Sequence, residues 1–275
     1  MMSEDLIPLE PRMVAPKLPG KVVLRDTADD AIDALAADML VQAIQCSRQI
    51  GDFQVALSGG STPLPLYRRL MYDPTYRQLP WGRTHLWMVD DRRVAMDDER
   101  SNYRQIEELI VQHSGIPVEQ AHPMEVLEPD ADTRYERRLR EVLKRRGAGH
   151  ERLDFVVLGM GGDGHTASLF PHSPALLAEA NPPPGSRGAL VRINAGPRVT
   201  PPDRVTMTLE AINAARFVAV LVIGESKRKT LEKVSAAFVA NGASGELPVE
   251  ELPILGVRPR AGELRWYMDA EACPR

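Results

Sequence analysis

The chain has 275 residues, 43% hydrophobic and 26% charged, an ordinary globular composition with enough length to bury a full core without staples. A formal net charge of −4 leaves no basic surplus for nucleic acid or an anionic membrane, so any anion site must be a local gathering of basic groups. No apolar run approaches the ~20 residues of a membrane span, and two cysteines, Cys46 and Cys273, make no disulfide framework, so a reducing cytoplasm is the expected setting.

Residues 1–20 are proline-rich, acidic and aperiodic, unlike a signal peptide, and read as a disordered or strapped-on tail ahead of one domain over 21–275. A short strand at 21–25 comes first. Thr27 then caps a long helix to about residue 50, with Asp30 in its first turn and Ile32, Leu35, Met39 and Ile44 as its apolar stripe. A strand at 53–57 runs into Ser58-Gly59-Gly60-Ser61-Thr62 and a helix opening at Pro63, a residue suited to a first helical position. A strand at 85–89 ends in Asp90-Asp91-Arg92, and Ser101 caps a helix to about residue 113. A highly charged helix is expected over 132–146. The apolar strand 153–158 breaks into Gly159-Met160-Gly161-Gly162-Asp163-Gly164-His165. Strands at 204–209 and 217–223 follow, the second leading into Gly224-Glu225-Ser226-Lys227 and a helix to about 239. A strand at 264–268 closes the series. Alternation of this kind predicts an α/β fold, doubly wound, with a mostly parallel sheet and helices on both faces. The proline-rich stretch 181–188 is the best internal break, but strands resume after it unchanged, so it reads as a surface loop of a single domain.

Chemistry is expected at the strand ends. Gly59 and Gly60 free the backbone to approach a ligand, while Ser61, Thr62 and the helix start offer donors for phosphate oxygens; the plain alternative is a tight turn with an N-cap. The loop lacks the Gly-Lys-Ser/Thr ending of a nucleoside triphosphate site. Residues 159–164 formally match a dinucleotide fingerprint, yet Asp163 would point negative charge at the pyrophosphate, which argues against a nicotinamide or flavin cofactor. His165 reads better as a proton carrier whose tautomer and charged form are set by Asp163, against the alternative of a capping or core histidine. Arg92, Arg204 and Lys227 each fall at an element end that would face the same crevice, although singly each reads as a solvated surface charge. No histidine pair has metal-ligand spacing and no Gly-x-Ser-x-Gly elbow is present, so neither a catalytic metal nor an α/β-hydrolase serine is indicated.

Taken in order, Leu57-Ser58-Gly59-Gly60-Ser61-Thr62-Pro63, Val89-Asp90-Asp91-Arg92 with Ser101-Asn102-Tyr103-Arg104, and residues 158–171 resemble the 6-phosphogluconolactonase family. Arg204-Val205-Thr206 and Gly224-Glu225-Ser226-Lys227 complete the resemblance, which runs from about residue 21 to 272. It implies hydrolysis of 6-phospho-D-glucono-1,5-lactone in the oxidative pentose phosphate pathway, no required cofactor, and a fold shared with sugar-phosphate deaminases and isomerases. It further implies His165 as acid/base with Asp163 beside it. Gly59, Gly60, Ser61, Thr62, Arg92, Arg204 and Lys227 would hold the phosphate and sugar oxygens. The partner implied is a small sugar-phosphate lactone, with no nucleic acid and no membrane, in a monomer or small homo-oligomer. Three positions depart from the family pattern: Gly162 and Ala95, where proline is common, and Asp91, where glutamate is. The rival reading is an amino-sugar-6-phosphate deaminase or isomerase, with Asp90 or Asp91 as its base; a sugar-phosphate-sensing regulator on the same fold is a third.

Overall fold

The computed structural model describes residues 14–180, 188–197, 199–242 and 245–274. Residues 1–13 of the predicted tail and 181–187 of the predicted loop lie outside them. Residues 14–20 pack on the body of the protein: Leu18 is buried, and the indole of Trp266 donates to the Pro19 carbonyl at 2.8 Å.

The elements are β1 Lys21–Arg25, α1 Ala28–Gln49, β2 Phe53–Leu57, α2 Leu64–Tyr72, β3 Thr84–Met88, β4 Asp90–Arg92 and α3 Asn102–Ile106. A π turn over Glu107–Val111 prolongs α3. There follow β5 Ala121–His122, α4 Ala131–Lys144, β6 Phe155–Gly159, α5 Pro174–Ala180, β7 Val191–Ala195, β8 Asp203–Met207, α6 Leu209–Ala214, β9 Phe217–Val222, α7 Arg228–Asn241 and β10 Glu263–Asp269. Thr27 caps α1 as the sequence predicts, its hydroxyl accepting from Asp30 N at 3.1 Å, and Ile32, Leu35 and Met39 are buried beneath it. Ile44 is only half-buried, with Ala43 taking the core position beside it.

Seven strands form one parallel sheet in the order β1-β10-β9-β6-β2-β3-β5. β2 and β9 are buried along their whole length, as strands covered on both faces must be; β9 is apolar throughout, and in β2 the one polar residue, Gln54, accepts from the Trp87 indole at 2.8 Å. Phe155 stacks on Phe217 at 4.6 Å between centroids, with Phe53 at 6.4 Å, so the strand starts form an aromatic row across the sheet. From β2 the chain winds outward to β3 and β5; from β6 it winds the other way to β9 and β10. Right-handed crossovers therefore set α1–α3 on one face and α4 and α7 on the other. The winding reverses between the neighbours β2 and β6, and in a doubly wound sheet the ligand crevice opens at the carboxyl ends of that pair.

One strand is not where the alternation suggests. The segment predicted at 204–209 is β8, and it belongs to a second, antiparallel sheet of order β4-β8-β7. Its partners escape a pattern search because β4 is three charged residues (Asp90-Asp91-Arg92) and β7 follows a proline-rich stretch. This small sheet stands beside the crevice and carries two of its basic residues, Arg92 and Arg204.

Candidate active site

The two loops predicted to carry chemistry leave adjacent strands side by side. Leu57 is in register with Val157, and the Ser58 hydroxyl donates across to the Val157 carbonyl at 2.8 Å. Between them lies a cavity of ≈ 510 Å³ whose wall includes Gly59, Gly60, Ser61, Thr62, Arg92, His165, Arg204 and Lys227. Asp163 stands behind it, against the imidazole.

Each glycine has its own reason. Gly60 adopts φ +90°, where a side chain is strained. Gly59 is required by a neighbour instead: a Cβ there would lie 2.1 Å from the amide oxygen of Asn102. In the second loop a Cβ on Gly161 would meet Nδ1 of His165 at 2.1 Å, so the bare backbone is the bed on which the imidazole lies. Gly162 has nothing within 4 Å of a built Cβ and no positive φ, which leaves room for a side chain at the position where the resemblance expects proline.

The acid and the imidazole form one unit. Oδ1 of Asp163 lies 2.5 Å from His165 Nδ1 and also accepts from the His165 backbone N–H at 3.1 Å. Burial pushes the Asp163 carboxyl up, but the hydrogen bond and charge of His165 outweigh it and leave the carboxyl below its ordinary range. An ionised carboxylate only accepts, so Nδ1 is the donor, and in the neutral form of the imidazole the lone pair is on Nε2. The ring of Phe170 lies 4.7 Å from the imidazole, between centroids, and the Arg204 guanidinium carbon stands 5.9 Å from the same ring.

The basic residues converge. Arg92 and Arg204 are direct cross-strand partners in β4 and β8, a placement that costs stability unless something anionic sits between them. Neither is neutralised by an acid within ion-pair distance, and neither is Lys227, among the described residues. Arg92 donates to the Arg100 carbonyl at 2.6 Å, Arg204 to the carbonyls of Pro201 and Asp203, and Lys227 to the Met160 carbonyl at 2.7 Å. Burial lowers the pKa of both Arg204 and Lys227, with Asp90 and Asp163 respectively opposing it. These are partly desolvated cations fixed by carbonyl dipoles and still in need of a counter-charge. The start of α2, with Ser61 and Thr62, faces the same cavity. The Gly60 amide is already partnered, donating to the Gln105 side chain at 3.3 Å.

The sequence reading did not single out Asn102, Gln105, Ser168 or Phe170. Asn102 follows the Ser101 cap, and its amide donates to the Asp90 carbonyl at 3.0 Å, but a polar residue in a first helical turn gives no signal of its own. Ser168 donates to the Asp90 carboxylate at 2.6 Å, a partnership across 78 positions that no local pattern reveals. The acids proposed as bases by the rival reading are both engaged. Asp91 takes the backbone N–H groups of Arg92, Asn102 and Tyr103 at 2.8, 2.6 and 3.1 Å, and Asp90 takes the Ser168 hydroxyl.

Fold and cleft together define a doubly wound α/β protein with a cation-lined crevice at its switch point and an acid–imidazole pair on the crevice wall. A family model described as glucosamine-6-phosphate isomerases/6-phosphogluconolactonase matches residues 26–266. The chain is 38% identical over 253 residues to the GDH/6PGL endoplasmic bifunctional protein of Homo sapiens, covering 89% of this chain but only 29% of that protein. It is 36% identical to the 6-phosphogluconolactonase of Synechocystis sp., over 81% of this chain and 84% of that one. Among solved structures, the 6-phosphogluconolactonase of Thermotoga maritima superimposes with a TM-score of 0.70 at 27% identity, covering 90% of this chain and 99% of its own. The chain belongs to the glucosamine-6-phosphate isomerase/6-phosphogluconolactonase family.

Proposed function

We propose that the protein hydrolyses 6-phospho-D-glucono-1,5-lactone to 6-phospho-D-gluconate, the lactone-opening step of the oxidative pentose phosphate pathway. The observation that carries this reading is the pairing of two things at one cavity: an imidazole, His165, whose Nδ1 is held by a carboxylate, and three cations with no acid within ion-pair distance among the described residues. A phosphorylated sugar lactone needs both, a base for water at one end and a seat for an anion at the other.

In this reading Arg92, Arg204 and Lys227, with Ser61, Thr62 and the start of α2, hold the phosphate and the oxygens of the sugar. Remote binding of that kind orients the lactone carbonyl and converts binding energy into rate. His165 Nε2 takes a proton from water as the oxygen attacks C1, and Asp163 steadies the imidazolium that forms. A loop N–H or an arginine stabilises the tetrahedral oxyanion. The C1–ring-oxygen bond then breaks and His165 returns the proton to the departing ring oxygen, leaving the open-chain acid. A δ-lactone is a reactive ester, so general-base assistance, typically 10²–10⁴-fold, together with positioning suffices. The bonds that occupy Asp90 and Asp91 favour this reading over an isomerase that would need one of them as a free base.

The reading takes residues 21–275 as one lactonase domain. Among the described residues no helix is long and apolar enough to cross a membrane, and Cys46 and Cys273 are unpaired and buried, which supports work in a reducing cytoplasm.

The test generates the phosphorylated lactone in situ and follows its disappearance with and without enzyme, beside glucono-1,5-lactone. The expected result is rapid opening of the phosphorylated lactone above the spontaneous rate, at least tenfold preference over the unphosphorylated one, and no ammonia from glucosamine 6-phosphate. Equal rates for the two lactones, or none above background, would overturn it.

A further inference from the structure

The loop that carries the acid and the imidazole is freed by glycine at 161, 162 and 164, so its shape has to be imposed from outside. Two bonds close it on itself: Gly161 N–H to the His165 carbonyl at 2.8 Å, and Gly164 N–H to the Gly161 carbonyl at 3.1 Å. These fix the mouth of the loop and leave its crown, Gly162–Asp163, to other restraints. Gly164 is tied by Ile254 N–H at 3.0 Å, and Met160 by the Lys227 ammonium at 2.7 Å. Gly162 has no packing to hold it, since a built Cβ there meets nothing within 4 Å. Among the described residues its carbonyl is held by one group, the Thr230 hydroxyl, at 2.8 Å.

We propose that Thr230 is a positioning residue for the reaction, fixing the Gly162–Asp163 peptide and thereby the aim of Asp163 at His165. The inference rests on the lactonase reading above for its kinetic consequence, but its structural consequence stands alone. A peptide unit is planar, so pinning the Gly162 carbonyl also pins the Asp163 nitrogen and the Cα from which the Asp163 side chain leaves, with φ the one backbone rotation left to that side chain. The anchor is itself stiff. Thr230 lies in the first turn of α7, is only 4% exposed, and as a β-branched residue has few χ1 choices in a helix. A rigid helix thus reads through one hydroxyl into a 2.5 Å contact between carboxylate and imidazole. Arg92 and Arg204, which stand on β4 and β8, do not depend on this anchor.

The experiment compares Thr230→Val, which keeps the shape and removes the hydroxyl, with Thr230→Ser, which keeps the hydroxyl. Two readouts are taken: kcat and KM on the phosphorylated lactone, and the low-field proton resonance of the His165 Nδ1–H bond, assigned by its loss in Asp163→Asn. Thr230→Val is expected to lower kcat about tenfold with KM within about twofold, and to shift or broaden the resonance; Thr230→Ser restores both. Thr230→Ala serves in place of valine if the latter folds poorly, with a thermal melt on each variant. A valine or alanine variant that loses thermal stability yet keeps the native kcat and resonance assigns Thr230 to packing and overturns the proposal. So does a serine variant as impaired as the valine one. Wild-type enzyme without activity above background would count against the lactonase reading, while the resonance would still decide the role of Thr230.

Discussion

The two ends of the parallel sheet use the same residue types to opposite effect. At the amino ends of the strands, Asp154 is fully buried and accepts from Arg146 at 2.6 Å, from Arg216 at 3.1 Å and from the backbone of Gln54 at 2.8 Å. Arg146 reaches Asp52 as well, so both carboxylates there are paired, while Arg152 beside them donates to the Ala261 carbonyl. At the carboxyl ends Arg92, Arg204 and Lys227 donate to carbonyls and have no acid within ion-pair distance among the described residues. A carbonyl fixes a cation's position without cancelling its charge. The lesson is that the acids under the sheet are each paired with a cation and hold the fold, whereas the proposed site gathers cations on a cavity wall with no acid within ion-pair distance among the described residues.

The strongest way to break this contrast is to remove the proposed base. His165→Ala is expected to slow catalysed opening of the phosphorylated lactone by about 10²–10⁴-fold, with the melting temperature little changed because the ring is partly exposed on the cavity wall. Steady-state assay and a thermal melt check it together. A variant turning over near the native rate would remove the proton carrier from the scheme.

At the opposite end the expectation reverses. Arg146→Ala leaves Asp154 buried with one guanidinium partner fewer, and breaking a buried pair in this way costs about 3–5 kcal/mol of stability. Denaturant unfolding measures the loss, and turnover per folded molecule is expected to stay native. If activity fell in proportion to nothing but Arg146 itself, the division between the two ends would fail.

These outcomes also mark how far the residues alone lead. The α/β alternation, the Thr27 cap, the strand–loop–helix setting of 58–63 and the strand end breaking into a loop at 159–165 follow from period, capping chemistry and glycine placement, all of which are local. The small antiparallel sheet does not, because β4 is three charged residues paired with a strand more than a hundred positions away. Arg92 facing Arg204 is a product of that pairing, so their convergence is invisible until the chain is folded. The close approach of Gly59 to Asn102 and the bond of Ser168 to Asp90 are hidden for the same reason: each joins residues farther apart in sequence than a local window spans.

Glycine substitutions sharpen the picture inside the working end. Gly161→Ala places a methyl 2.1 Å from His165 Nδ1 and must displace the ring, with an expected loss of turnover on the order of 100-fold, as for an ångström of misplacement. Gly162→Ala meets nothing and is expected to keep near-native activity. The two variants differ by one position and one methyl group, so an assay that ranks them alike contradicts the geometry of the loop.

Histidines give the mildest test of the same contrast. His165 faces a carboxylate, whereas His122 is buried against the Trp87 ring at 3.7 Å and meets His85 at 3.0 Å. Burial, then His85 and Arg138, push the His122 pKa down to about 3; burial also lowers His85, with Asp52 opposing and Arg138, Arg146 and Arg145 assisting. In the unfolded chain these rings protonate near pH 6.5, so below that pH the unfolded state binds more protons and stability falls as the solution is acidified. The contribution is fully present above about pH 6.5 and is lost progressively as pH drops toward the folded value. From pH 7 to 5 the expected loss from His122 is about 1–2 kcal/mol, read as a fall in denaturant midpoint. His122→Phe keeps an aromatic ring over Trp87 and removes the titration, so its midpoint should depend less steeply on pH over this range. An equally steep dependence in the variant would shift the acid sensitivity to other groups and leave the buried pair without a part in it.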